Sequence, residues 1–213
     1  MRRAMSHKNA GIFGYWLLTI VLAGCGLSPK EYFYTLSSST TSEHSSASGT
    51  TMAQTIAVGP VTLPEIADRP QIVTRVGTNQ VAVSEQHRWA ASLKSEIPRV
   101  IAANLSDFLG TTSISSYEDS GAARADVQVL IDVQRFDATL GETVTVDSLW
   151  TVRWAAGKPT TGRSTVREPI SGEGYDVLVA AYSRAFAKVS RDIGEAIRSN
   201  GMMRREAFGK GSQ

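Results

Sequence analysis

The strongest nucleophile in the sequence is the sulfur of Cys25, the sole cysteine among 213 residues. A thiol can form a thioether, ligate a metal or pair in a disulfide, but one sulfur excludes an internal disulfide and any multi-cysteine metal site. Its surroundings narrow the choice further. Arg2, Arg3 and Lys8 lie in a short basic stretch, residues 10–24 are almost wholly apolar, and Val21-Leu22-Ala23-Gly24 leads directly into Cys25. A fifteen-residue helix would span roughly 22 Å, short of the roughly 30 Å hydrocarbon core of a bilayer. A basic start, a short apolar run and small residues at its end describe a secretory signal rather than an anchor helix around an inert cysteine.

Leu22 at position −3, with Ala23 and Gly24 before the cysteine, resembles the lipobox of bacterial lipoproteins. That resemblance implies that residues 1–24 are a lipoprotein signal peptide. It also implies that the Cys25 thiol is diacylated, that the chain is cut before it, and that the new amino terminus is acylated as well. Each buried methylene adds about 0.8 kcal/mol, so several acyl chains would hold the protein on a membrane. Residue 26 is Gly rather than Asp. By resemblance to enterobacterial sorting rules, this favours an outer-membrane lipoprotein facing the periplasm over retention at the inner membrane.

Other chemistry finds little support. Once the signal is removed, His44 and His87 are the remaining histidines. His44 lies in a Ser/Thr-rich stretch, so a serine triad would have to be built on His87. That residue sits in Glu85-Gln86-His87-Arg88-Trp89, read as a polar link ahead of a helix with the histidine exposed. No HExxH, CxxC or acidic cluster offers a metal site. Gly172-Glu173-Gly174 lacks the third glycine of a phosphate-binding turn, and no lysine-bearing nucleotide loop is present. The expected reading is a protein that is not an enzyme and takes no cofactor or metal. Formal charge is +2 for the whole chain, and 19 basic against 20 acidic residues without residues 1–24. With no excess of positive charge to neutralise phosphates, nucleic acid is not an expected partner.

The elements that must position these residues follow from periodicity. Residues 37–53 hold eleven Ser or Thr in seventeen positions, too few apolar groups to offset ordering entropy. With 25–36 they are read as a flexible tether for the lipidated end. Tyr32-Phe33-Tyr34-Thr35-Leu36 is an aromatic island that either adds an edge strand or packs on the domain. Beyond residue 54 come strands over 55–61, 71–76 and 81–83, the last two as a hairpin. An apolar stripe predicts a helix over 91–109. Pro98 either sits in its first turn behind a Ser95 cap or kinks it. A short strand over 112–117, a long alternating hairpin over 126–137 and 143–154, and a strand near 163–167 follow. The final helix carries a stripe from Leu178 to Ile197, and Asn200-Gly201 is expected to stop it. The domain is thus placed at 54–201 and a disordered tail at 202–213. The predicted fold is α/β: a single layered domain with a mixed sheet, a long β-hairpin and two flanking amphipathic helices.

Two stretches stand out: Leu63-Pro64-Glu65-Ile66-Ala67-Asp68-Arg69-Pro70-Gln71-Ile72-Val73-Thr74-Arg75, and Arg88-Trp89-Ala90. They resemble the corresponding segments of the ABC-type transport auxiliary lipoproteins. The likeness continues through Val133-Gln134-Arg135-Phe136-Asp137, the Trp150 strand and the Tyr182-containing helix, over roughly residues 55–200 plus the lipobox. The Ser/Thr stretch and Pro98 depart from it. The resemblance implies a fold like the amino-terminal domain of TolB. It implies an accessory lipoprotein of an envelope lipid-transport system, beside an MCE-domain protein and separate permease subunits, and a homo-oligomer, with a ring as one form. A structural or assembly lipoprotein of the outer membrane is the alternative. Two readings of the motif stay open. In one, Pro64 and Pro70 fix a loop, Arg69 pairs with an acidic residue and Trp89 covers the core. In the other, Asp68, Arg69, Gln71, Arg88 and Trp89 present a docking surface, as the abundance of Trp and Arg at interface hot spots suggests.

Overall fold

A computed structural model describes residues 30–38, 54–117 and 124–209, with side chains through residue 201. Cys25, the signal sequence, His44, most of the Ser/Thr stretch and residues 210–213 lie outside the described residues. The described elements are β1 (Tyr32–Tyr34), β2 (Ile56–Thr62), β3 (Gln71–Gly77), β4 (Gln80–Trp89), α1 (Leu93–Leu109), β5 (Ile114–Ser116), β6 (Val127–Thr139), β7 (Thr143–Trp154), β8 (Thr160–Pro169) and α2 (Tyr175–Gly209).

The strands divide between two sheets, ordered β1-β4-β3 and β5-β2-β6-β7-β8. The larger sheet is built on the β6–β7 hairpin, whose antiparallel register runs from Val127 opposite Trp154 to Thr139 opposite Thr143. Alternation explains the hairpin: Val127, Val129, Ile131 and Val133 are buried on one face, with Val144, Val146, Trp150, Val152 and Trp154 beside them. Its three-residue loop needs a left-handed position, and Gly141 supplies it at φ 72°. On the other side of β6, β2 runs parallel with a register shift between Val58 and Val61. The strand expected over 55–61 thus runs through Pro60 from Ile56 to Thr62. Gly59 makes this bulge at φ 118°, where a side chain would be strained and would also meet the Cβ of Tyr117 at 2.9 Å.

Helix α1 packs on β2 and β5, and α2 packs on β7, β8 and α1. The cap of α1 is Ser92, not Ser95: its Oγ accepts the Lys94 amide at 3.3 Å. Gly110, at φ 66°, closes the other end. Pro98 therefore lies in the second turn, where it removes the main-chain bond to the Lys94 carbonyl, and its ring is buried towards Gly59. Helix α2 does not stop at Asn200-Gly201 but runs to Gly209. The Asn200 side chain donates to Thr160 Oγ1 at 3.0 Å, so it does not cap the helix. Beyond it, Met202, Met203, Arg204, Arg205, Glu206 and Ala207 are good helix formers that carry the helix past the predicted tail boundary.

One ion pair on the larger sheet makes stability pH-dependent. Arg163 Nε donates to Asp147 Oδ1 at 2.8 Å, a second guanidinium nitrogen reaches Oδ2, and Thr165 donates to Oδ1 at 3.2 Å. The hydrogen bonds from Arg163 hold the Asp147 carboxyl below its usual range. A carboxyl lowered in the folded state contributes stability above its unfolded value of about 3.9, lost as pH falls through the folded value. Because Arg163 is largely exposed, solvent screens its pair with Asp147 and the contribution is small. Arg163→Ala should flatten the loss of stability between neutral pH and pH 3 in urea melts; an unchanged pH profile would contradict this assignment.

Candidate functional site

The smaller sheet gathers both conspicuous motifs. Between Pro64 and Pro70 the chain folds into a tight loop: the amides of Ala67 and Asp68 donate to the Pro64 carbonyl at 2.9 and 3.1 Å. Proline fixes φ at both ends of this loop, which delivers Gln71 into β3 opposite Arg88 of β4. The Trp89 amide donates to the Pro70 carbonyl at 2.7 Å, locking the loop to the end of β4.

The five candidate surface residues part company here. Asp68 is exposed and pairs with Lys94 Nζ at 2.6 Å. Arg69 is exposed and has no ion-pair partner among the described residues, so the acidic partner expected for it is absent from that set. Gln71 and Arg88 share the outward face of the small sheet, half-buried, with Arg88 Nη2 3.1 Å from Glu31 Oε1. Trp89 points the other way and is 4% exposed. Its indole meets Phe136 and Tyr182 edge-on, at ring-centroid distances of 6.0 and 6.1 Å. Trp89 belongs to the core and is not a docking residue, because successive side chains of a strand take opposite faces and Arg88 has the outer one.

His87 is not an exposed loop residue either. Strand β4 extends through the polar stretch 84–89 because β1 pairs with it in parallel, Tyr32 opposite His87 and Tyr34 opposite Trp89. The imidazole stacks on Tyr175 at 3.9 Å and on Tyr32 at 5.1 Å, and its Nδ1 lies 2.7 Å from the Tyr34 hydroxyl. Burial, reinforced by the nearby charge of Asp176, raises the pKa of Tyr34. This stack joins the first strand to the start of α2. Two residues further on, Leu36 is 2% exposed, and its amide donates to the buried carboxylate of Glu96 at 3.0 Å. Ser37 continues the attachment, its amide donating to Ser183 Oγ at 3.1 Å.

Residues 31–38 are thus woven into the folded body, in the same compact unit as residues 54–209. Residues 31–38 come before most of the Ser/Thr stretch in the chain, so that stretch does not connect Cys25 to the domain. Six residues, 26–31, separate Cys25 from β1. The sequence signals for this attachment were the alternation of Tyr32 and Tyr34 and the large apolar Leu36; the carboxylate of Glu96 gave none.

A cleft of about 210 Å³ opens between the small sheet and β6, lined by Ile66, Val73, Arg75, Trp89, Phe136 and Asp137 among others. It is smaller than the roughly 300–1,000 Å³ of ordinary small-ligand pockets. Arg75 Nη2 and Arg135 Nε meet Asp137 Oδ2 there at 3.0 and 2.7 Å. Among the described residues no three His, Cys, Asp or Glu side chains are grouped to hold a metal ion. Beneath the cleft, Tyr182 stacks flat on Phe136 at 4.0 Å, and its buried hydroxyl has no hydrogen-bond partner among the described residues. Desolvation, with the charge of Asp137, raises that phenol well above its usual pKa. An orphaned buried hydroxyl costs stability, so Tyr182→Phe should keep or raise the melting temperature. A clear drop would reveal a hydroxyl partner.

Fold and attachment define a class: a two-sheet α/β body closed over its own amino-terminal strand, a few residues behind a cysteine with lipobox surroundings. The chain belongs to the ABC-type transport auxiliary lipoprotein component family, which matches residues 34–194. Among solved structures, one of an uncharacterized protein shares the fold with a TM-score of 0.64 and 19% identity, covering 79% of this chain and 99% of its own. A Xanthomonas campestris protein of the family called DUF330 does so with a TM-score of 0.65 and 16% identity, covering 82% and 99%. No curated protein matches the chain. The family is one of envelope lipoproteins that accompany ABC-type transport systems. Among the described residues no helix is long and apolar enough to cross a membrane.

Proposed function

We propose that this chain is a non-catalytic accessory subunit of an envelope lipid-transport system, anchored through acyl chains on Cys25. In this reading an MCE-domain protein conducts the lipid, separate permease and ATPase subunits drive it, and several copies of this chain assemble at the membrane. The body faces the periplasm from the outer membrane, as Gly26 after the acylated cysteine favours. The observation that carries the proposal is the family match along residues 34–194. Packing supports it: His87 is engaged in an aromatic stack between Tyr32 and Tyr175, and Trp89 fills the core. Asp68, Arg69, Gln71 and Arg88 remain as the partner-facing positions, with Arg69 the one whose charge is uncommitted among the described residues.

The test is crosslinking of the native protein in its own envelope, followed by identification of what is attached. Recovery of an MCE-domain protein or a permease subunit is expected, weakened by Arg69→Glu at unchanged melting temperature. Recovery of outer-membrane assembly proteins alone would replace the proposal with a structural lipoprotein.

A further inference from the structure

The cleft between the small sheet and β6 is bounded by strand edges rather than by a sheet face. Ile72, Val73, Thr74 and Arg75 line one side, and Phe136, Asp137 and Ala138 the other. Successive residues of a strand take opposite faces, so consecutive lining residues mark an edge. Among the described residues β3 pairs with β4 alone, and β6 pairs with β2 only as far as Asp132, with β7 alone beyond it. Both edges therefore present main-chain groups that pair with no further strand. Apolar side chains stand at the mouth: Ile66 is 44% exposed and Val81 37%. Beside them, Arg75 and Arg135 share the single carboxylate of Asp137, while Asp147 is taken by Arg163. One positive charge is left over. Arg75 Nε is buried and bonds nothing among the described residues, and Arg135 is held there only through its Nε. A shallower groove of about 670 Å³ continues outward over Thr78, Gln134 and Arg135.

We propose that this cleft binds the carboxy-terminal residue of a partner protein, its apolar side chain between Ile66, Val81 and Phe136 and its carboxylate against Arg75 and Arg135. Size selects the side chain. An apolar cavity of about 150 Å³ holds a benzene ring, so one of about 210 Å³ suits a single Phe or Leu side chain. Charge selects the carboxylate: the two guanidinium groups have one acid between them and unused donors, and a charge-assisted hydrogen bond is about twice as strong as a neutral one. The surroundings select a chain over a free acid. A small carboxylic acid would use the cleft alone, whereas an extended peptide also follows the groove and bonds the strand edges through its main chain. The site adds to the partner-facing positions named above and does not depend on the lipid-transport reading. It would serve an accessory subunit and a structural lipoprotein equally.

The test uses the full chain purified from its envelope and held in lipid nanodiscs. Fluorescence anisotropy follows its binding of labelled hexapeptides, randomised in sequence except for a last residue of Phe, Leu or Ala. Each set is made with a free carboxylate and with a carboxy-terminal amide. Free-carboxylate peptides ending in Phe or Leu should bind saturably. The amides should bind at least tenfold more weakly, as should peptides ending in Ala, because burying a large apolar side chain is worth roughly tenfold or more. Arg135→Gln, at an exposed position where melting should not change, should bring acid and amide to the same weak level. Ile66→Glu, also exposed, should weaken the Phe and Leu peptides several-fold at an unchanged melting temperature. Absence of saturable binding, equal binding of acid and amide, or full binding by Arg135→Gln would each overturn the inference. So would 3-phenylpropionate binding as tightly as the peptides, which would assign the cleft to a free acid. None of these results bears on the acyl anchor or on which system the chain serves.

Discussion

Trp89→Ala is expected to destabilise the body by about 3–5 kcal/mol, the usual cost of emptying a large aromatic site in a core. Typical domain stability is only about 5–15 kcal/mol, so the variant should have a sharply lowered urea midpoint. The reason is contact, not charge. The indole lies edge-on to both members of the stacked Phe136–Tyr182 pair, and its backbone amide ties β4 to the loop at Pro70. Removing it opens a void where the small sheet, β6 and α2 meet. Any loss of partner binding in this variant should therefore track its loss of folded protein. Arg69→Ala should do the reverse, leaving the midpoint unchanged because its exposed side chain has no ion pair among the described residues. Equilibrium unfolding of both variants beside co-purification of partners separates the roles. An unchanged midpoint for Trp89→Ala with lost partners would return that residue to the docking surface.

Cys25→Ser is expected to abolish the acylated, membrane-held form of the protein. A serine hydroxyl is a far weaker nucleophile than a thiolate and forms no thioether, so acyl transfer and the cleavage that depends on it both fail. The lost anchoring is large: each acyl methylene is worth about 0.8 kcal/mol, over at least two chains. Fractionation of cells expressing the variant should show it in the soluble fraction or with its signal retained. Unchanged tight membrane association would mean that something other than the sulfur holds the protein.

Most of the elements were legible because their patterns are local. The β6–β7 hairpin alternates over more than twenty residues, and the stripe of α2 leaves one helical face to bury. The errors fell where a distant partner decides the outcome. Residues 84–88 are polar and look like a link until β1 pairs with them from more than fifty positions away. Leu36 looks like the end of a tether until Glu96 of α1 accepts its amide. Trp89 looks like an interface residue because its composition fits one, but strand parity turns it inward and Arg88 outward. Asn200-Gly201 is a proper stop signal by itself, yet Asn200 is held by Thr160 and good helix formers follow. Among the proposed sites, the local cysteine motif is the most legible; a docking face depends on register across three strands.

The most direct test of the account is the intact mass of the protein purified from its native envelope. The expected result is a chain beginning at residue 25, heavier than its sequence by a diacylglyceryl group and a further amino-terminal acyl chain. A chain that begins at residue 1, or one that carries no acyl mass at residue 25, would contradict it.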